Sequence, residues 1–487
     1  MSGTPVVQLP QGRVRGRTTP SGAAAFLGIP YARVERFAPP LPAQRAGDLV
    51  ADTPGPAAPQ PRRPIAQFTH GEPPGTDEQC LSVNVWTPPG GGEGAPVLVW
   101  IHGGGFAVGW STASLYDGAR LAAEQGIVVV SLNYRLGSLG WLAHPDLAPR
   151  PGAPAANWGL QDQVAALRWV HDHVAAFGGD PSRVTLAGQS AGALSVMDHL
   201  VGGATHGLFA RAILESPPIF DAAHDPDLGR RWAEALARAA GGGDDLAMLR
   251  ALPAQRVVEL HEELLGDPEF RGTRGGALPT IEAATLPVAP ADAPAARLDV
   301  EVLIGTTADE ATFFFRAAGR RPEPDEAGLL AMVAHLPGVQ DAAAAIARAR
   351  ADAAAAGAPQ DTNSTLVRIA TEAMVAGSTA RWAAARVAAG GRVHRFRVDH
   401  AGADPDLGAI HTVEVPLVFG TYDDGGPGTR LAGDGPRSAT VSGQMMAAWG
   451  AFVRGEGPGW PPLESGAGDE SMRVFGSATA ALPVSEK

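Results

Sequence analysis

Cysteine and lysine are almost missing from this chain. Of 487 residues only Cys80 is a cysteine, so no disulfide can close within the chain and a cysteine-rich metal centre is excluded. Lysine occurs once, at Lys487, which leaves arginine to carry nearly all the positive charge. Acids outnumber bases: 38 Lys and Arg face 51 Asp and Glu, a formal charge of −13, and the bases gather only into short pairs such as Arg62-Arg63 and Arg320-Arg321. That balance repels phosphate backbones, so nucleic acid is not expected as a partner. Long apolar runs are lacking as well. "GIVVVSL" at 126–132 has the length of a buried strand, not of a membrane span, and the opening residues lack the basic start and apolar stretch of a secretion signal. The expectation is a soluble, cytoplasmic protein with no membrane partner.

What the chain does contain is ample core. Apolar residues make up 45% and charged residues 18%, which places it among globular proteins rather than disordered ones. Strand-like runs recur: "PVLVWI" (96–101), "GIVVVSL", "RVTLA" (183–187), "RAILE" (211–215), "DVEVLIG" (299–305) and "RVHRFRV" (392–398). Between them lie amphipathic segments, the clearest at 159–177, where Val164, Leu167, Val170 and Val174 follow helical spacing. This alternation predicts an α/β fold with a mostly parallel sheet covered on both faces. Residues 225–295 and 322–390 read as helical excursions that roof the sheet within one domain spanning 1–487. Pro- and Gly-rich passages at 53–64, 88–96 and 423–436 read as loops.

One short stretch raises a chemical question. In "RVTLAGQSAGALSVMDHL" (183–200), Gly188, Ser190 and Gly192 give the spacing G-x-S-x-G where an apolar run passes into a helical pattern. A nucleophile elbow needs that context, because its sharp turn leaves no room for bulky neighbours. With 62 glycines in the chain the spacing alone is weak, and a tight structural turn fits it equally. A serine nucleophile requires further parts: a histidine base, a carboxylate to orient it, and N–H donors for the oxyanion. The donors have a ready source in "VLVWIHGGGFAVG", where Gly103, Gly104 and Gly105 follow a buried strand. With the N–H of Ala191 they would form an oxyanion hole. Read alone, the same glycines are a turn in a glycine-rich protein. Read together, a strand followed by HGGG and a later strand ending in G-x-S-x-G are much harder to obtain by chance.

At this point the sequence resembles the type-B carboxylesterases, which include bacterial para-nitrobenzyl esterases and the cholinesterases. "AFLGIPYA" (25–32), "ERFAPP" (35–40), "EQCLSVNVWTP" (78–88), "HGGGF", "NYRLGSLGWL" (133–142), "FGGDPSRVTLAGQSAGA" (177–193) and "IHTVEVPLVFG" (410–420) occur in that family's order. The resemblance runs from about residue 5 to 475. It implies an α/β-hydrolase fold and acyl transfer by a serine, glutamate and histidine triad, with no metal or cofactor. It points to Glu310 in "LIGTTADEATFFF" as the acid, with neighbouring Asp309 as the competing carboxylate, and to His411 among 13 histidines as the base. The order serine, acid, histidine is that of the fold. The resemblance also implies a structural ion pair, Arg36 with Glu78, and a serine, Ser216, that buttresses the triad.

The chain departs from that family in three places, one of them the segment "YARVERF" (31–37), which is shorter than the family's usual version. Vertebrate members close a disulfide loop at the position of Cys80, and here it has no partner; residues 65–79 also lack the tryptophan with which cholinesterases hold a quaternary ammonium. Gln189 stands where many relatives have a glutamate, which removes a negative charge. The other two differences argue against a choline substrate. The expected activity is hydrolysis of a small-molecule carboxylic ester through an acyl-enzyme. Two alternatives remain: the same triad acting mainly on amides, carbamates, lactones or lipids, and a non-catalytic binding protein on this fold.

Overall fold

A ten-stranded sheet organises the computed structural model, which describes residues 4–476 apart from 45, 220–223, 244, 271–272, 274, 320–321, 405 and 467–470. Arg320, Arg321 and Lys487 therefore lie outside the described residues. In chain order the strands are β1 (Arg17–Thr18), β2 (Ala24–Pro30), β3 (Ser82–Thr87), β4 (Ala95–Ile101), β5 (Val128–Leu132), β6 (Gly179–Gln189), β7 (Arg211–Glu215), β8 (Glu301–Thr307), β9 (Val393–Val398) and β10 (Arg473–Phe475). Across the sheet they run β10-β9-β8-β7-β6-β4-β5-β3-β2-β1. From β10 to β5 every neighbouring pair is parallel, and β3, β2 and β1 add an antiparallel edge.

Strand β4 is apolar throughout, and β5 nearly so, because both sheet faces are covered. Along β4, Val97, Val99 and Ile101 enter one core while Leu98 and Trp100 enter the other, as the two-residue period of a strand requires. The first core takes in Leu167 and Val170 of α1 (Trp158–His173). The second contains Met445, Trp449 and Phe452 of the long helix Pro436–Arg454. Within 322–390 the helices Glu326–Val333, Ala342–Ala355 and Thr362–Thr371 enclose a small core of their own, built on Leu329, Val333, Leu366 and Ile369. No helix among the described residues is long and apolar enough to cross a membrane.

Three readings from sequence need correction. The strand expected at 183–187 runs from Gly179 to Gln189, with a register shift between Gly179 and Val184. The passage 423–436 is not all loop: Pro427–Ala432 is helical. Proline is well placed at the start of a helix, where no N–H is required, and Asp424 Oδ1 accepts the N–H groups of Gly426 and Thr429 at 2.7 and 3.1 Å. Strands β2 and β3 were not among the apolar runs, because Gly28, Pro30, Ser82 and Asn84 interrupt the pattern. Asn84 is fully buried, and its Nδ2 donates to Ser111 Oγ and Ser131 Oγ at 2.9 and 3.0 Å, so its polarity is satisfied inside the sheet.

The loop after β5 is fixed by a buried ion pair. Arg135 donates from Nε and Nη2 to Asp162 on α1 at 2.8 and 2.7 Å, and its backbone N–H reaches the same carboxylate at 3.0 Å; the side chains are 3% and 0% exposed. Removing one partner strands a desolvated charge. Asp162→Ala is expected to lower unfolding stability by about 3–5 kcal/mol, measured by urea denaturation. A loss indistinguishable from that of a surface substitution would contradict this role.

Candidate active site

The turn between β6 and α2 (Ala191–Val201) sets the site. Ser190 sits there at φ 56° and ψ −122°, outside the comfortable range of an L-residue. Its N–H donates to Glu215 O at 2.8 Å, which ties the turn to the end of β7. Gly192 is required by close approach: a Cβ there would lie 2.1 Å from Ile101 O. The helix thus starts directly against the end of β4, and the N–H of Ala191 belongs to a first turn with no intrahelical acceptors.

After β4 the glycine turn bends back over this corner. Gly104 and Gly105 adopt φ 110° and 63°, and the turn is braced by His102. Its Nδ1–H donates to Gly103 O at 2.8 Å and its ring stacks on Tyr134 with centroids 4.5 Å apart. Burial lowers the His102 imidazole to about 4, so it is neutral at physiological pH.

The chain brings Glu310 and His411 to the same corner from β8 and from the loop after β9. Glu310 Oε2 faces His411 Nδ1 at 2.5 Å. Its Oε1 accepts the Thr307 N–H at 2.8 Å and the Ser216 hydroxyl at 2.6 Å, so every contact holds the carboxylate in one orientation. Glu310 and His411 are 0% and 1% exposed. Asp309 points elsewhere and accepts the Ala409 N–H at 2.8 Å, pinning the segment that leads to His411. Of the two adjacent acids, Glu310 is the one that meets the imidazole. With its Nδ1 proton directed to Glu310, His411 presents the Nε2 lone pair to the elbow.

Among the described residues that lone pair is met by Gln189 Nε2 at 3.1 Å rather than by Ser190 Oγ; the same amide reaches Thr412 Oγ1 at 3.3 Å. Thr412 at φ 84° and Ser216 at φ 50° are, like Ser190, non-glycine residues in the left-handed region. Backbone strain therefore gathers where these loops meet. Phe313 and Phe314 flank His411 with ring centroids 5.0 and 5.3 Å away. Sequence reasoning missed both phenylalanines; their signal was the apolar run following Glu310. Arg36 and Glu78 form a bidentate ion pair, and Arg36 also donates to Leu249 O at 2.9 Å, away from this cluster. Cys80 is fully buried, and Gln79 secures the preceding loop through two 2.9 Å bonds to the Val34 backbone.

The sequence model described as the carboxylesterase family matches residues 3–471. The chain belongs to that family. It is 34% identical to a phenmedipham hydrolase of Pseudarthrobacter oxydans over 94% of this chain and 92% of the relative. It is 35% identical to a probable N-octanoylanthranilate hydrolase of Rhodococcus erythropolis over 93% and 94%. A solved para-nitrobenzyl (PNB) esterase structure superposes with a TM-score of 0.79, at 30% identity over 95% of this chain and 94% of that one. The fold is that of an α/β-hydrolase, and this carboxylesterase is a hydrolase of carboxylic esters.

The Gln189 contact makes a test possible. A carboxylate in its place would favour the imidazolium. In Gln189→Glu the acid limb of kcat/KM for ester hydrolysis is expected to move to higher pH by about one unit. An unmoved limb in a folded variant would show that this side chain does not face the imidazole.

Proposed function

We propose that this carboxylesterase cleaves esters through Ser190, His411 and Glu310. Gln189 withdraws from Nε2 as substrate enters. Ser190 Oγ then adds to the ester carbonyl while its proton passes to His411 Nε2, and the Nδ1–H bond to Glu310 stabilises the imidazolium. Backbone N–H groups of Gly104, Gly105 and Ala191 receive the oxyanion. Collapse of the adduct expels the alcohol, which takes the proton from His411 and leaves Ser190 acylated. Water, deprotonated by His411, releases the acid and restores the serine.

The observation that carries this reading is the buried contact of 2.5 Å between Glu310 and His411, which orients the imidazole Nε2 toward the strained turn at Ser190. Ser216 and Thr307 hold Glu310 in place. A second reading, preference for N-acyl bonds by the same residues, draws support from the relative named for N-octanoylanthranilate. Hydrolysis of p-nitrophenyl esters of graded chain length, compared with matched p-nitroanilides, separates the two.

Ser190→Ala is expected to reduce kcat by at least about a thousandfold, and Glu310→Gln by roughly 10³–10⁴-fold through loss of the correct tautomer. A phosphonate or organophosphate ester should label Ser190, as read by mass spectrometry of the digested protein. Full activity in either variant, or labelling at another residue, would overturn the assignment. Because the base works unprotonated, the wild-type rate should fall on acidification.

A further inference from the structure

Two carboxyl groups lie behind this constellation, and the proposed reaction uses neither. Glu215 ends β7, and Glu414 opens the helix Glu414–Phe419, three residues after His411. Both are 0% exposed. Glu215 Oε1 accepts the Trp449 indole N–H at 2.8 Å, while its Oε2 is buried without a partner. Glu414 Oε1 lies 3.5 Å from Ser216 Oγ, and its Oε2 is also buried without a partner. Among the described residues neither forms an ion pair with an arginine.

Ser216 has one proton, and the 2.6 Å contact directs it to Glu310. What its oxygen offers Glu414 is a lone pair, which only a protonated carboxyl can use. The charged groups felt at Glu414 are Glu215, Glu310 and His411, and Tyr116 faces the same pair with a phenol that stays neutral. The single imidazole is already engaged by Glu310. Two further uncompensated anions in this interior would be desolvated and would repel each other.

We propose that Glu215 and Glu414 together hold one proton at neutral pH, and that the single negative charge left on the pair acts through Ser216 and Glu310 as a positioning element for the His411 imidazolium. Burial first, and for Glu414 the neighbouring acids next, raise both carboxyls above the usual carboxylate range, in keeping with a retained proton. The pair titrates as a unit, so the proton belongs to neither residue alone. The part of this inference that concerns His411 rests on its reading as the base; the shared proton does not.

The test uses the full chain labelled with ¹³C-glutamate and no substrate. Infrared difference spectra against unlabelled protein should show a protonated glutamate carbonyl band at neutral pH, and that band should be lost in Glu215→Gln and in Glu414→Gln. Glutamate labelling leaves the buried Asp162 and Asp198 silent. In the folded double variant the acid limb of kcat/KM should move to lower pH by about one unit, further than in either single variant, because only the double change removes the charge. Absence of the band in wild type, or its persistence in both single variants, overturns the shared proton whatever the activity. A double variant that is folded but has an unmoved limb overturns the coupling to His411. Should the double variant not fold, the single variants still decide the shared proton.

Discussion

The conformation of Ser190 is the constraint from which the site is built. A residue at φ 56° persists only where its surroundings over-determine it. Here the Ser190 N–H is bound to the end of β7, and α2 starts so close to Ile101 that only glycine fits at 192. The parallel sheet supplies this rigidity: β4, β6 and β7 are adjacent, so the glycine turn, the elbow and Ser216 emerge at the same edge. Strain at the turn is thus balanced by packing in both cores. The serine hydroxyl is presented at the end of the sheet instead of being folded into it.

Around that fixed point the electrostatics are sparing. One imidazole serves a cluster holding Glu310, Glu215 and Glu414, all buried. The neutral amide of Gln189 occupies the position where a further carboxylate would crowd them. A neutral His102 braces the glycine turn without adding a charge. Two phenylalanine rings against His411 leave its edges less open to water, which strengthens the hydrogen bond to Glu310. The small uncharged groups in this interior matter because each limits how many charges must be balanced there.

Much of the fold could be read in the chain. Strands β4, β5 and β8 are rich in buried β-branched residues and their pattern stands out for that reason, while β7 and β9 keep buried apolar residues at Ala212, Ile213 and Leu214 and at Val393, Phe396 and Val398. β2 and β3 did not stand out, since Gly28, Pro30, Ser82 and Asn84 look like loop residues until partners across the sheet are known. The same holds for the helix at Pro427, whose first turn is held by the Asp424 carboxylate from outside the helix. Within the site, Ser190 and the glycines were legible because turn geometry limits residue type. Phe313 and Phe314 were not, since the apolar run after Glu310 does not say which of its rings will lie against the imidazole.

What the sequence determined by itself was the set of parts: a glycine-flanked serine, a glycine turn after a strand, acids at 309 and 310, a histidine at 411, and the family motifs that order them. Local sterics and strand burial act over a few residues, so they leave a mark on a few residues of sequence. Only the tertiary structure decided which of Asp309 and Glu310 turns to the histidine, that Gln189 rather than Ser190 meets Nε2, and that Glu215 and Glu414 share a buried corner. Those outcomes depend on contacts between segments about a hundred or more residues apart, where direction and desolvation are set by packing and not by neighbours along the chain.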